Sequence, residues 1–326
     1  MKLLVTGASG KVGQVFLTAF LADPRFSQWE VVALCNNRQV HLLPRLSVVH
    51  GSIADAQAVS RALEGVTHVL HLAAVKESPD QAIDVALKGL FVLLEGFRLK
   101  ADARQFILLS GDCVVGHIFQ EYPHPITEHS PRRAYKGSYA LTKVLEEVML
   151  EQFGSQYGLN WTTLRAPWVM EKDDFRFAFD LSDSQFGGPS WEKIIEPERL
   201  AQVRGQRAFP LMRDAEGRPL KRSFIHVEDL VRAILTSIDN QNAFGELFNI
   251  AMNEPVDYRQ AADLASHVAG LEPCDIETPF HSNWLDNSKA RKVLGWEPEI
   301  DLAGLVDRAW NYRRAADDPR IVWYPG

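Results

Sequence analysis

The chain has 326 residues, 46% of them hydrophobic and 24% charged, which is ordinary for a globular protein with a large buried core. Its formal net charge of −7 argues against a nucleic-acid partner, because such a partner requires a basic surplus. No apolar stretch approaches the roughly 18 residues of a membrane span, and the N-terminal apolar run is too short for a signal peptide. The three scattered cysteines indicate neither disulfides nor a metal site. We therefore expect a soluble, cytoplasmic protein without membrane contact.

The first half of the chain alternates short apolar runs with amphipathic segments. The apolar runs are Lys2–Thr6, Val31–Leu34, Ser47–His50, His68–Leu72, Phe106–Ser110 and Trp161–Leu164. Strands that are apolar throughout and are separated by helices predict a parallel sheet covered on both faces. The predicted fold class is therefore α/β, a doubly wound parallel sheet with a smaller C-terminal substrate lobe.

The pattern changes from Trp168 onward, where residues 171–222 are rich in charge, Gly, Pro and aromatic side chains. Regular apolar segments return at Phe224–Ile234, Glu246–Ala251 and Leu302–Arg313. We expect a dinucleotide-binding domain over residues 1–167. Residues 168–326 are predicted to form mainly a substrate-binding lobe, with segments near 222–251 returning to the first domain.

Aromatic residues are concentrated in the irregular stretch. They are Phe175, Phe177, Phe179, Phe186 and Trp191. These rings are compatible with a flap that stacks on a sugar, and equally with a place in a core or an interface.

A glycine-rich loop follows the first predicted strand directly and precedes an amphipathic helix. Gly7 permits a tight turn, Gly10 lets the backbone approach a pyrophosphate, and Gly13 allows the helix to pack closely on the strand. The N–H groups at the start of the helix then face the phosphates of a dinucleotide. The residues expected to bind the cofactor here are Gly7, Ser9, Gly10, Lys11, Val12 and Gly13. A glycine-rich turn without a ligand is the alternative.

The cofactor is expected to be NAD or NADP, with a slight preference for NADP. No acidic residue stands at the end of the second strand, where Asn36 and Arg38 lie, and Arg38 is able to pair with a 2′-phosphate. A solvent-exposed Arg38 without such a role explains the sequence equally well. Ser52 and Ile53, after the third strand, are placed to border the adenine ring, although Ile53 also suits a core position.

Tyr139 and Lys143 are spaced i, i+4 in a helical segment, on the side opposite an apolar stripe that contains Leu141, Leu145 and Val148. Hydride transfer at a carbinol needs a group that takes or gives the hydroxyl proton. A free tyrosine has a pKa of about 10, and a neighbouring ammonium favours its phenolate. The spacing therefore predicts Tyr139 as general acid/base and Lys143 as the group that tunes it and binds the nicotinamide ribose.

These features together resemble the extended short-chain dehydrogenase/reductases, the NAD-dependent epimerase/dehydratase group. The resemblance spans nearly the whole chain, and its supporting segments are TGASGKVG (6–13), HLAA (71–74), YALTK (139–143), LRAPWV (164–169), FIHVEDL (224–230), FNIA (248–251) and DNSKARKVLGWEP (286–298). It implies a Rossmann domain, a homodimer formed through two helices per subunit, and chemistry at a sugar-type hydroxyl. It also implies that Leu72, Ala73, Ala74 and Pro167 border the cofactor.

The sequence departs from the family pattern at the end of the fifth strand. Gly111 stands where a Ser or Thr usually orients the substrate hydroxyl, so Ser110 and Asp112 are alternative candidates for that role. Ala86 replaces a common Asn. A dehydratase is disfavoured, because the run Gly111–Cys113 keeps only the Asp of the dehydratase triplet Thr-Asp-Glu.

The expected substrate is a small sugar-type molecule. Residues predicted to bind it are Lys76, Asp112, Trp168 and Arg222. Among them, Arg222 is the predicted partner of a diphosphate group on the substrate. We therefore expect an oxidoreductase that acts on a hydroxyl or carbonyl of a sugar, sugar acid or similar polyol. A nucleotide-sugar epimerase is the nearest alternative, and a dinucleotide-binding sensor without turnover is the alternative from another class.

Overall fold

The computed structural model describes residues 1–181, 191–204 and 206–318. Its strands are β1 (Lys2–Thr6), β2 (Glu30–Cys35), β3 (Leu46–His50), β4 (His68–His71), β5 (Gln105–Gly111), β6 (Trp161–Ala166), β7 (Trp168–Met170), β8 (Ala208–Arg213), β9 (Lys221–Arg222), β10 (Phe224–His226), β11 (Glu246–Asn249), β12 (Val256–Asp257) and β13 (Glu272–Glu277). Its helices are α1 (Lys11–Ala22), α2 (Ala56–Ala62), α3 (Pro79–Gln81), α4 (Gly89–Arg98), α5 (Ser138–Tyr157), α6 (Asp174–Ala178), α7 (Trp191–Ile194), α8 (Pro197–Arg204), α9 (Val227–Ser237), α10 (Tyr258–Ala269), α11 (Ser288–Leu294) and α12 (Leu302–Asn311). A π-helical segment, Ala82–Lys88, joins α3 to α4.

Seven strands form one parallel sheet in the order β11-β6-β5-β4-β1-β2-β3. The register places Leu4 of β1 opposite Val32 of β2 on one side and Val69 of β4 on the other. The order reverses at β1, so the loops after β1 and β4 part there and leave a crevice at the carboxyl ends of the strands. The predicted α/β fold class is confirmed.

Both faces of the sheet are covered by helices. On one face, Phe16 and Phe20 of α1 pack in a core that includes Ile234 of α9. On the other face, α2, α4 and α5 cover a second core that includes Leu93 and Phe106. Because the central strands are buried on both sides, their sequences are apolar throughout rather than alternating.

The second half of the chain forms a separate core from short strand pairs and helices. Strands β8 and β13 pair in parallel, and α10 packs against them with the fully buried Tyr258. Phe175, Phe179 and Trp191 belong to this core, and Phe186 lies outside the described residues.

Part of the second half joins the main sheet, because β11 pairs with β6 at its edge. The division into residues 1–167 and 168–326 stays a prediction. Among the described residues, no helix is both long and apolar enough to cross a bilayer.

Candidate active site

A cleft of about 930 Å³ lies at the carboxyl ends of β1, β2, β4, β5 and β6 and is bordered by the second lobe. It brings together every site residue that the sequence predicts. These residues are Gly7, Ser9, Gly10, Lys11, Val12, Gly13, Asn36, Arg38, Ser52, Ile53, Leu72, Ala73, Ala74, Lys76, Ser110, Asp112, Tyr139, Lys143, Pro167, Trp168 and Arg222. Their individual roles remain predictions.

The glycine-rich loop has the geometry that a dinucleotide needs. Gly7 has a φ of 68°, and a Cβ on it would lie 2.6 Å from the backbone nitrogen of Ala73. A Cβ on Gly13 would overlap the carbonyl oxygens of Gly7 and Ala8. Among the described residues, no side chain caps the start of α1, and its first turn carries no acid. The loop therefore presents close-packed backbone and open N–H groups, which fit a pyrophosphate.

Lys11, the first residue of α1, connects this loop to the second lobe. Its Nζ lies 2.6 Å from Oδ2 of Asp174 and donates a hydrogen bond to the carbonyl oxygen of Val169 at 3.1 Å. Both partners follow Trp168, where the second half begins. Lys11 thus has a structural contact in addition to its predicted contact with a phosphate.

The part of the cleft next to the ends of β2 and β3 has polar residues after β2 and the apolar Ile53 after β3. Asn36 and Arg38 follow β2, and neither they nor the intervening Asn37 carries a carboxylate. Ile53 is 7% exposed and packs into the core beside α4, while it also lines the cleft. The structure therefore places Ile53 in both of the positions that the sequence left open.

Tyr139 and Lys143 lie on the first turns of α5, on its side toward the cleft. The Nζ of Lys143 donates to the carbonyl oxygen of Leu109 at 3.0 Å and lies 2.7 Å from Oε2 of Glu146. Lys143 is buried, whereas Tyr139 is half-buried and accessible from the cleft. The pair has the arrangement expected of a phenol next to a fixed ammonium.

The loop after β4 brings a second lysine to Tyr139. Lys76 Nζ lies 3.6 Å from the centroid of the Tyr139 ring, a cation–π distance. Burial, with a smaller effect from Lys143, lowers the pKa of Lys76 to about 8. The adjacent Glu77 accepts a hydrogen bond from the backbone N–H of Ser138 at 3.0 Å and so holds the start of α5. The loop is thereby fixed to the helix that carries Tyr139.

Ser110 lines the cleft beside Gly111. Its hydroxyl donates to Oε1 of Glu147 at 2.6 Å, inside a buried network. Arg165 binds both carboxylate oxygens of Glu147, at 2.8 and 2.7 Å, and Arg132 adds a further contact at 2.8 Å. Ser110 therefore contributes its hydroxyl to the packing of α5 against β5 and β6.

Gly111 is the residue of β5 that faces Tyr139. A Cβ built on Gly111 would lie 3.8 Å from the Tyr139 hydroxyl and 3.3 Å from the Cys113 sulfur. The position that usually carries a substrate-orienting hydroxyl therefore lies beside the phenol but has no side chain here.

Asp112 is paired with a histidine that the sequence did not single out. Oδ2 of Asp112 lies 2.6 Å from Nδ1 of His117. Burial acts to raise the pKa of Asp112, but His117, Arg222 and Lys76 outweigh it and lower the pKa overall. Burial lowers the pKa of His117. Asp112 and His117 therefore form a close, buried pair at the carboxyl end of β5.

The backbone of His117 is constrained to make this pair. His117 has a φ of 52° and follows Gly116 at 85°, so two successive residues are left-handed. The amide of Asn283 donates to the carbonyl oxygen of His117 at 2.6 Å and holds the turn. A non-glycine residue in this conformation is costly and is retained where surrounding contacts require it.

Arg222 lies on the wall of the cleft that the second lobe provides. Its guanidinium carbon lies 4.0 Å from the centroid of the Trp168 ring, and the side chain is buried. Its Nε has no hydrogen-bond partner among the described residues. Burial lowers the pKa of Arg222, while Tyr258 and Asp112 oppose the change. A buried guanidinium with an unused donor indicates an anionic group on the ligand.

Sequence reasoning missed His117, Tyr258 and Glu146. His117 depends on a left-handed turn, and Tyr258 reaches Arg222 from a helix more than thirty residues away, so neither has a local signal. Glu146 had a signal, because an acid at i+3 from Lys143 falls on the same face of the helix.

The comparisons with known proteins agree with this architecture. The family model described as "NAD dependent epimerase/dehydratase family" matches residues 3–251. A UDP-glucose 4-epimerase from Rhizobium meliloti is 26% identical over 294 residues, which cover 80% of this chain and 82% of that protein. A trifunctional UDP-glucose 4,6-dehydratase/UDP-4-keto-6-deoxy-D-glucose 3,5-epimerase/UDP-4-keto-L-rhamnose-reductase from Arabidopsis thaliana is 25% identical over 90% of this chain, which spans 44% of that protein.

A solved structure shares the fold over nearly the whole chain. It is a short-chain dehydrogenase/reductase superfamily protein from Agrobacterium tumefaciens with bound NAD, with a TM-score of 0.74 and 24% identity. The alignment covers 95% of this chain and 96% of that one. Since the family model covers well over half of the sequence, the chain belongs to the NAD dependent epimerase/dehydratase family.

Proposed function

We propose that the protein is an NAD(P)-dependent oxidoreductase that acts on a hydroxyl or carbonyl of a sugar, sugar acid or similar polyol. The observation that carries the proposal is the position of Tyr139. It lies in the same cleft as the glycine-rich loop, beside Lys76 and on the same helix as Lys143. A module that only bound a dinucleotide would have no need of a phenol flanked by two ammonium groups.

In this mechanism Tyr139 takes the proton of the substrate hydroxyl during oxidation and returns it during reduction. Lys76 and Lys143 stabilise the phenolate that this requires, because opposite charge favours the ionised form. The glycine-rich loop and Lys143 would hold the dinucleotide. The bound nicotinamide supplies the hydride acceptor.

Asp112 is our candidate for the group that orients the substrate. Ser110 is engaged by Glu147, and Gly111 has no side chain. The Asp112 carboxylate lines the cleft and is able to accept a hydrogen bond from a sugar hydroxyl, with His117 fixing its orientation. Arg222 and Trp168 would bind an anionic group and a sugar face at the wall formed by the second lobe.

A nucleotide-sugar epimerase is the second candidate. The unused donor of Arg222 suits a phosphate or carboxylate on the substrate. The Rhizobium meliloti relative, which matches most of this chain, is named as a UDP-glucose 4-epimerase. An epimerase would have to retain its cofactor and return the hydride to the other face of the sugar.

The deciding experiment is turnover with NAD(H) and NADP(H) over sugars, sugar acids and UDP-sugars, in the purified protein and in Tyr139→Phe. We expect net cofactor reduction or oxidation, reduced at least about 100-fold in kcat by the variant, because a positioned acid/base contributes that much. Bound cofactor with sugar interconversion and no net redox change identifies the epimerase. Binding of cofactor without any turnover overturns the proposal in favour of the sensor.

The choice between NAD and NADP is tested at Arg38. The family is described as NAD dependent, whereas the absence of a carboxylate at residues 36–38 supports acceptance of a 2′-phosphate. We expect Arg38→Ala to raise the Kd for NADP⁺ about tenfold, the loss of one charge-assisted contact, and to leave the Kd for NAD⁺ unchanged. Titration calorimetry measures both, with Arg25→Ala, at an exposed position outside the cleft lining, as control. Equal effects on the two cofactors would remove the preference for NADP.

We also propose a homodimer. Leu141, Leu145 and Val148 are exposed apolar residues on α5. Phe91 of α4 is 49% exposed, and its ring centroid lies 6.0 Å from that of Phe153 of α5. Exposed apolar residues in such a group indicate a contact surface. The family resemblance predicts a dimer formed through two helices per subunit, and α4 and α5 are our candidates for them.

A cytoplasmic location is proposed from the cysteines. Cys35, Cys113 and Cys274 are buried and unpaired. This state suits a reducing compartment.

A further inference from the structure

Lys143 shares its buried position with a second ionisable residue, Glu146. The carboxylate lies one turn further along α5, with Oε2 2.7 Å from Nζ of Lys143. Their side chains are 3% and 1% exposed, so the pair is shielded from solvent. At such burial one charge acts strongly on another, because water does not screen them.

The hydrogen bonds of Lys143 are almost fully defined by its neighbours. An ammonium has three donors, of which one reaches the carbonyl oxygen of Leu109 and one reaches Glu146. One donor remains for the cleft. Glu146 thus holds the ammonium in place and at the same time offsets its charge.

We propose that Glu146 is a positioning residue that partly neutralises Lys143 and thereby sets how readily Tyr139 ionises. This inference rests on the proposed function, in which Tyr139 is the acid/base. Glu146 would therefore restrain Lys143, the buried cation on the same helix as Tyr139.

Other ionisable groups face this cluster from each element packed against it. They are Lys76 from the loop after β4, His71 from the end of β4, Asp112 and Cys113 from the end of β5, Glu147 from α5 and Lys11 from α1. Burial lowers the pKa of His71 to about 3 and raises that of the Cys113 thiol, so both are neutral near pH 7. Glu147 is bound by Arg165 and Arg132.

The charge state of Glu146 depends on its partner. Burial raises the pKa of Glu146, and Lys143 opposes the rise. The second carboxylate oxygen, Oε1, has no hydrogen-bond partner among the described residues. A buried carboxylate with an unused oxygen adds little to stability, which favours a role in the electrostatics of the site.

The test compares Glu146→Gln with Glu146→Asp. Glutamine keeps the size and removes the charge, whereas aspartate keeps the charge and removes a methylene. We expect Gln to lower the ionisation midpoint of Tyr139 by about one pH unit, because the charge of Lys143 is then unopposed. We expect the ionisation midpoint of Tyr139 in Glu146→Asp to remain close to that in the unsubstituted protein.

Two readouts are measured. The first is tyrosinate absorbance during an alkaline titration without substrate, with the Tyr139→Phe form of each variant subtracted to isolate one tyrosine. The second is the pH dependence of kcat/KM for oxidation, whose rise requires the phenolate and so moves to lower pH in Glu146→Gln. Glu151→Gln is the matched control, because Glu151 is on the same helix but pairs with Arg132 at a partly exposed position.

The outcomes separate this inference from the proposed function. A lower Tyr139 midpoint in Glu146→Gln, but not in Glu146→Asp or in Glu151→Gln, supports the role of Glu146 even when no sugar is turned over. An unchanged midpoint in Gln overturns it, whatever the activity. A larger effect in Asp than in Gln also overturns it, since that order indicates a packing role.

Discussion

Gly111 is a cleft residue at which the sequence departs from the family pattern, and the structure shows its surroundings. The backbone of Gly111 is extended, with φ −145°, so other residues are able to adopt it. A Cβ there would lie 3.8 Å from the Tyr139 hydroxyl, 3.5 Å from the carbonyl oxygen of Ala166 and 3.3 Å from the Cys113 sulfur, which would have to shift slightly. The backbone therefore accepts a small side chain at this position.

We expect Gly111→Ser to raise kcat about fivefold over Gly111→Ala on the same substrate. The serine hydroxyl would add one hydrogen bond beside the Tyr139 hydroxyl, worth about 1 kcal/mol in the transition state. Alanine supplies the same Cβ without the hydroxyl and is the control. Steady-state kinetics of the two variants measures the difference. Equal kcat values would show that Asp112 already orients the substrate fully.

At this scale the sequence predicted which residues meet in the cleft but not how they are paired. Gly7, Tyr139 and Lys143 belong to sequence patterns whose spacing itself predicts a function, and all three line the cleft. His117 lies opposite Asp112 only because two successive residues adopt left-handed φ values, and no composition rule predicts that.

At the scale of elements, the strands of the main sheet were predicted closely because buried parallel strands have a continuous apolar sequence. The expected run Lys2–Thr6 matches β1, and Phe106–Ser110 lies within β5. The short strands β7, β9, β10 and β12 were not predicted, since two or three residues carry no period and their pairing is non-local.

Helix α5 shows why a helical pattern alone misleads about what is buried. Its inward side contains Lys143, Glu146 and Glu147, while Leu141 and Leu145 are exposed. Polar groups are inside because they pair with one another and with Arg165. The apolar stripe predicted from the sequence faces outward and is the surface we propose for the dimer.

At the scale of the whole molecule, we expect Leu145→Glu to convert the proposed dimer into a monomer. Leu145 is 38% exposed at the centre of the apolar face on α5, and a buried, unpaired carboxylate there would disfavour association. Native mass by light scattering measures the change. Val268→Glu, at an apolar position of similar exposure on α10, is the control and should leave the mass unaltered. An unsubstituted protein that is already monomeric contradicts the proposal.

The contact between Lys11 and Asp174 has a consequence for the molecule as a whole. The residue at the start of α1 is also an attachment point of the second lobe. An anion bound at the loop and the carboxylate of Asp174 therefore draw on the same ammonium. Under the proposed function, cofactor binding at the loop and substrate binding at the second lobe would therefore be linked. By reciprocity, the factor by which the substrate changed the cofactor affinity would equal the factor by which the cofactor changed the substrate affinity.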